Sequence, residues 1–266
     1  MAGRDPRIDR AEQRLIDLYR DAEQALTRDV QDALSRDAIG TARYREQRLA
    51  TVRQYLSDLQ DQAIPLATDL TTAAYVGGVT SAARDVGTML PDFGSGIHKE
   101  AMEILADNLA NGLNGAAETV GRRVADLYRR AGLNAATQMI AGGGGVREGA
   151  MALTSALRGS GVSAFTDAAG RVWDLNRYAE MVIRTNTADA IVRGNVNKAA
   201  EDGYDLVEVL VVEDEQLCEI CSPYMDTVYS LTGREGFEPL DELPPFHPNC
   251  RCDLNILVDA EPADGG

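Results

Sequence analysis

The chain has 266 residues, a formal net charge of −16 and a hydrophobic fraction of 44%, enough apolar material for one large domain or two ordinary ones. No apolar run reaches the roughly 18–20 residues that span a bilayer, and the opening stretch MAGRDPRIDRAEQR is too polar for a signal peptide, which argues against membrane and secreted classes. From Asp205 onward there are 15 acidic and 2 basic residues, the opposite of what nonspecific phosphate-backbone binding requires, so this region reads as a solvated acidic surface or a face for a basic partner.

Aromatics make up only 5% of the chain, whereas alanine occurs 37 times, which points to a core of closely packed helices. Ile8, Ala11, Leu15, Leu18, Ala22 and Leu26 recur every three or four residues, as do Leu49, Val52, Leu56, Leu59 and Ala63. That stride predicts amphipathic helices with charged outer faces. A break over 35–40 implies two helices or one bent helix, and Pro65 either starts a new helix or kinks this one. The Ala/Thr-rich stretch that follows contains Gly77-Gly78, compatible with a helix packed closely against a neighbour.

Residues 91–96 (PDFGSG) form a predicted loop. Helical stride resumes at Ile97, Ala101, Leu105 and Leu109, and again at Val120, Val124, Leu127 and Ala131. Four glycines at 142–145 end it. The segment AGGGGVREGA lacks the Lys-Ser/Thr of a phosphate loop, any GxGxxG and a preceding Val/Ile-rich strand, so it reads as a hinge rather than a nucleotide site.

After a short predicted helix over 146–157, the run FTDAAGRVW at 165–173 reads as two short strands around a Gly-containing turn. Asp174 is placed to cap a helix carrying Leu175, Ala179, Val182, Ile183 and Ala190 and ending near Gly203. Residues 206–212 are the only β-branched run and a predicted strand; residues 259–266 read as a frayed acidic tail. The expected fold is therefore mainly α with a small α+β C-terminal module: long helices, then a β-hairpin, a helix, a strand and a Cys/His metal knuckle. The expected domains are a helical region over 1–145, the module over 146–258 and the tail.

All four cysteines (Cys218, Cys221, Cys250, Cys252) and one of the two histidines, His247, fall within 35 residues. Cys218-Glu-Ile-Cys221 puts two thiols on one tight turn, and the sequence HPNCRC supplies a second cluster 26 residues later. Two donor pairs separated by a loop suit tetrahedral Zn²⁺, for which four closed N/S ligands define a structural site. Cys218 and Cys221 are the firm pair. The other two ligands come from His247, Cys250 and Cys252, and spacing does not choose among them. Disulfides are the competing reading, disfavoured for a chain folding in reducing cytosol; four unligated core thiols would not cluster around a histidine.

Pro223, Gly233, Gly236, Pro239, Pro244, Pro245 and Pro248 leave little expected regular structure in this segment, so metal binding would supply folding free energy directly. A catalytic metal would need an open position and a nearby base. Glu219 or Glu242 could be cast as that base, but an all-Cys/His donor set closes the coordination sphere. His98, the other histidine, begins a polar helix and reads as a solvated surface residue. No enzymatic activity is expected.

The segment 165–185 (FTDAAGRVWDLNRYAEMVIRT), the strand and knuckle from Asp205 through Cys221-Ser-Pro-Tyr, the stretch Val228-Tyr-Ser-Leu and the closing HPNCRC resemble, in this order, bacteriophage minor capsid proteins of the broader Mu F-type (SPP1-type) head morphogenesis group. The resemblance covers about residues 160–256, and the helical half is similar only in general character. It implies a structural virion component of small copy number, at the portal vertex or capsid interior, made in the host cytoplasm and acting in head assembly or DNA delivery. The partners implied are the portal protein or the major capsid protein, with self-association open, packaged DNA involved only indirectly, and no membrane.

The same resemblance implies a structural metal site and makes Trp173, Arg184 and Thr185 structural determinants of the module, Trp173 reading equally well as a core aromatic. Two departures stand out. Met225-Asp226-Thr227 replaces the family's usual Gly turn, which Asp tolerates. Several relatives carry His at the position of Cys252, which favours Cys252 as a ligand and leaves His247 against Cys250 open. The alternatives from other classes are a metal-dependent hydrolase or nuclease and a cytosolic zinc-dependent interaction adaptor.

Overall fold

A computed structural model describes residues 5–141, 165–166, 171–212 and 218–258. The expected hinge at 142–145, the helix over 146–157, the hairpin turn at 167–170 and the acidic tail lie outside the described residues. The chain is mainly helical with a small C-terminal sheet, as expected from the sequence. In chain order the elements are α1 (Pro6–Ser35), a 3-10 turn (Asp37–Gly40), α2 (Ala42–Val86), α3 (Gly96–Ala141), β1 (Phe165–Thr166), β2 (Val172–Trp173), α4 (Leu175–Glu201), β3 (Leu206–Leu210), β4 (Val228–Ser230), β5 (Glu238–Pro239) and β6 (Asp253–Leu257), with a second 3-10 turn at Ser222–Tyr224.

These elements form two compact units. One comprises Arg14–Pro65 and Asn111–Glu180, the other Met1–Gln13, Leu66–Ala110 and Met181–Gly266. The predicted break over 35–40 is the first 3-10 turn. Helix α2 continues through Pro65. Both Pro65 and Asp61, whose carbonyl a proline four residues on leaves without its helical partner, are exposed, so water can serve the freed acceptor.

In the Arg14–Pro65/Asn111–Glu180 unit the apolar stripes predicted from the 3.6-residue period are the buried ones. Leu15, Leu26 and Val30 of α1, Val52, Leu56 and Leu59 of α2, and Leu113, Val120 and Val124 of α3 are all buried. In α1 the stripe runs through Tyr19, fully buried, rather than Leu18. β1 and β2 pair antiparallel, Phe165 opposite Trp173 and Thr166 opposite Val172. Trp173 departs from the core expectation: it is half-buried, packed edge-on against Tyr178 at 5.9 Å, with the Arg171 guanidinium 5.6 Å from its ring. Asp174 caps α4 as predicted, its Oδ1 accepting the Arg177 N–H at 2.8 Å.

In the other unit α2 and α4 cross at backbone contact. A Cβ on Gly78 would lie 2.0 Å from the Ile191 carbonyl oxygen, and one on Gly194 would lie 2.3 Å from that of Tyr75. The close approach suggested by Gly77-Gly78 is thus present, with Gly194 as its counterpart on the second helix. Just beyond α4 stands Gly203, whose φ of 80° lets the Tyr204 N–H reach back to the Ala199 carbonyl at 2.8 Å, the left-handed terminus that glycine favours. Lys198, buried in α4, pairs with Glu201 at 3.0 Å and Asp202 at 2.8 Å.

The sheet of this unit has the order β5-β4-β3-β6, antiparallel throughout except for the parallel β4–β5 pair. The predicted strand at 206–212 is its β3. The segment expected to hold little regular structure supplies β4 and β5, and β6 follows it; in β6 Leu254 and Ile256 are buried while the half-buried Asp253, Asn255 and Leu257 alternate with them. Val207, Val209, Tyr229, Leu254 and Ile256 form one core cluster with Ala82 of α2 and Val192 and Ala199 of α4; Cys221, Cys250 and Cys252 belong to the same cluster.

His98 overturns another expectation. It is 3% exposed, and its Nδ1 lies 2.9 Å from the Tyr75 hydroxyl. That hydroxyl accepts from Asn197 Nδ2 at 2.7 Å, so its own proton goes to His98 Nδ1. His98 Nε2 then faces Glu201 at 3.5 Å. The polar residues around His98 in sequence concealed a partner 23 residues upstream.

Candidate metal centre

Two turns carry the donors. After β3 the chain returns at Cys218, where the N–H groups of Cys221 and Ser222 both bond the Cys218 carbonyl, at 3.2 and 3.1 Å. This fold of the backbone sets the Cys218 and Cys221 sulfurs on one side. The second turn is His247-Pro-Asn-Cys250, closed by the Cys250 N–H on the His247 carbonyl at 3.0 Å. Pro248 at its second position and Asn249 at its third, with φ of 59°, meet the requirements of a type II turn.

Aromatic stacking brings the turns together. Tyr224, three residues after Cys221, stacks face to face on Phe246, the residue before His247, at 4.0 Å and 10°. Such stacking contributes about 0.5–1.5 kcal/mol beyond simple burial. Tyr229 of β4 abuts Tyr224 at 6.0 Å, tying the pair to the sheet. Asp226 turns the chain with φ of 55°, a conformation that Asp tolerates.

The five sequence-predicted donors fall into two overlapping groups rather than one. His247 Nε2 lies 3.2 Å from Cys218 Sγ and 3.1 Å from Cys221 Sγ, and Cys221 Sγ lies 3.8 Å from Cys250 Sγ. Two groups of donors meet within metal-binding distance, Cys218–Cys221–His247 and Cys221–Cys250–Cys252, with Cys221 common to both. Cys221, Cys250 and Cys252 are buried; Cys218 is half-exposed. Two thiolates on a tetrahedral Zn²⁺ with bonds of about 2.3 Å stand about 3.8 Å apart, the separation of Cys221 and Cys250. Soft sulfurs with one imidazole are the donor chemistry that suits such an ion.

The thiols divide into acidic and basic partners. A hydrogen bond from the Cys221 side chain and backbone N–H bonds from Cys221 and Ile220 lower the Cys218 pKa. Burial, then the Cys218 neighbour, pushes Cys221 up to about 12. The Cys252 thiol, followed by backbone N–H groups, brings Cys250 down to about 4, and Cys252 is raised in turn by Cys250. Burial disfavours the His247 cation, but the Pro248 carbonyl and the Cys250 and Cys218 sulfurs outweigh it and leave the pKa raised. His247 Nδ1 lies 2.9 Å from the Pro248 carbonyl oxygen; a carbonyl only accepts, so Nδ1 carries a proton, and in the neutral ring Nε2, facing the sulfurs, is the lone-pair nitrogen that a metal would take.

Sequence reasoning attached Thr185 and Arg184 to the module only through family resemblance. Thr185 Oγ1 accepts the Asn249 N–H at 3.0 Å, fastening the second donor turn to α4. Arg184 is exposed and faces Glu12 of α1 at 3.8 Å. Neither role has a local sequence signal, because each partner is far away in the chain. Glu219 and Glu242 are exposed and belong to neither donor group.

No helix among the described residues is long and apolar enough to cross a membrane. Comparison with curated proteins and with solved structures returns no match. The family model for phage minor capsid protein 2 matches residues 4–244. It takes in the helical half, which the sequence resemblance had left at general character, and the Cys218/Cys221 turn, and it stops short of the His247–Cys252 turn. With that match across most of its length, the chain belongs to the phage minor capsid protein 2 family.

Proposed function

We propose that this protein is a structural component of the phage virion, at the portal vertex or capsid interior, acting in head assembly through contacts with the portal or major capsid protein. The family match over residues 4–244 carries this reading. The concentration of 15 acidic residues against 2 basic ones from Asp205 onward fits a surface that contacts protein and leaves packaged DNA alone. Purified particles test it: the chain should be found in washed virions by mass spectrometry at a low, fixed ratio to the major capsid protein. Its absence from particles that contain the other head proteins would refute the reading.

Within that function the C-terminal module is held by one Zn²⁺ on Cys218, Cys221, His247 and Cys250. Cys250 is favoured over Cys252 because it shares a closed turn with His247 and lies 3.8 Å from Cys221. Cys252, leading into β6, then serves as a thiol neighbour to the Cys250 sulfur. The role is structural. The ion joins two turns whose other links are one aromatic stack and the sheet beneath, and a set of three thiolates and an imidazole leaves no position for reactive water. A metal hydrolase would also need a base at the site, and His98 is committed to Tyr75.

A further inference from the structure

One peptide group in the second donor turn makes two side-chain bonds at once. In the turn His247-Pro-Asn-Cys250 the peptide between Pro248 and Asn249 directs its carbonyl to His247 Nδ1 at 2.9 Å and its N–H to Thr185 Oγ1 at 3.0 Å. The positive φ of Asn249 fixes the plane of that peptide, since a type II turn needs a left-handed third residue. His247 Nε2 is thereby aimed between Cys218 and Cys221, at 3.2 and 3.1 Å.

We propose that Thr185 is a positioning residue for the metal centre: by holding the Pro248–Asn249 peptide it fixes the tautomer and direction of the His247 ring. This rests on the zinc reading above and extends it from the donors to α4. The physical basis is the outer-shell rule. A metal-bound histidine is oriented by what its other nitrogen donates to, and loss of such a partner typically weakens metal binding 10–100-fold. Here the partner is a backbone carbonyl in a two-residue arch whose turn conformation sets the peptide plane, and a bond on the far side of that peptide holds it against rocking about the setting. Thr185 makes that bond from a helix that is itself clamped at the Gly78/Gly194 crossing. A half-buried threonine at this place in α4 thus has a use that packing alone does not supply, and it links occupancy of the metal site to the seating of α4.

The test compares Thr185→Val, which keeps the shape and removes the acceptor, with Thr185→Ser, which restores it. Zinc affinity is measured by competition with a chromophoric chelator, and the His247 tautomer by two-bond proton–nitrogen NMR on the full chain. Thr185→Val should bind zinc about 10–100-fold more weakly and show mixed His247 tautomers, with helical circular dichroism unchanged. Thr185→Ser should recover both readouts. Unchanged affinity and a single tautomer in Thr185→Val would overturn the proposal, as would failure of Ser to rescue. Should Thr185→Val fail to fold, the wild-type chain still decides: the exposed Asn249 amide should exchange slowly with solvent, and fast exchange refutes the bond. If the wild-type chain takes up no zinc, the zinc reading fails by itself, while the Nδ1–H tautomer in metal-free protein still reports on Thr185.

Discussion

Adding a single methyl group at Gly78 should do as much damage as a moderate core truncation. An ideal Cβ there falls 2.0 Å from the Ile191 carbonyl oxygen and 2.9 Å from its carbon, whereas carbon and oxygen ordinarily approach no closer than about 3.3 Å. The obstructing atoms are backbone, so no rotamer change relieves the clash; α2 and α4 must part by about 1 Å or more. Overfilled contacts cost about 1–3 kcal/mol, and one that moves two helix backbones belongs at the upper end. For a chain of this size that is a fall in melting temperature of about 6–12 °C. Gly115→Ala is the matched control. Gly115 lies in α3 with nothing within 4 Å of an added Cβ, so alanine should stabilise by about 0.5–1 kcal/mol through helix propensity. Thermal melts followed at 222 nm separate the two. A Gly78→Ala protein melting within about 1 °C of the wild type would mean that the crossing is not at backbone contact.

Asp174→Ala removes the carboxylate that accepts the Arg177 N–H, and should cost about 1 kcal/mol, seen as a shift of a few degrees in the same melts. Asp205 accepts from the Ser230 hydroxyl at 2.6 Å and the Thr232 N–H at 2.8 Å. Burial opposes its ionisation, but those bonds outweigh it and hold its pKa below the ordinary 3.8. The carboxylate therefore adds stability above that value and loses it as pH falls through the lower folded-state value. Urea melts should show Asp205→Asn less stable than wild type at neutral pH, with the gap narrowing in acid. Among single cysteine variants, Cys250→Ala should weaken zinc binding far more than Cys252→Ala, and equal losses in the chelator competition would reject the ligand choice.

The helices were legible because their stripes are long: six apolar residues at a helical stride in α1 outvote any single exception such as Leu18. Asp174 and Gly203 were legible because caps are local chemistry, one carboxylate three residues from an N–H and one left-handed residue at an end. The small strands were not. β4, β5 and β6 span 3, 2 and 5 residues, too few periods to register in the sequence, and only their pairing within the sheet, β4 and β6 on β3 and β5 on β4, defines them. The five candidate donors stood out from clustering alone, whereas their division into two groups sharing Cys221 is set by the tertiary fold. The partners of His98 and Thr185 and the Tyr224–Phe246 stack were not legible for one reason: each acts on a residue 22 or more positions away, and such pairings belong to the tertiary fold.

Native mass spectrometry of the full chain, with and without a strong chelator, followed by limited proteolysis, bears most directly on the metal clip. One Zn²⁺ per chain is expected, with removal exposing the 218–258 segment to cleavage while the helices stay protected. A chain that carries no zinc after purification with metal present, or a C-terminal module equally resistant once the metal is stripped, would contradict the account.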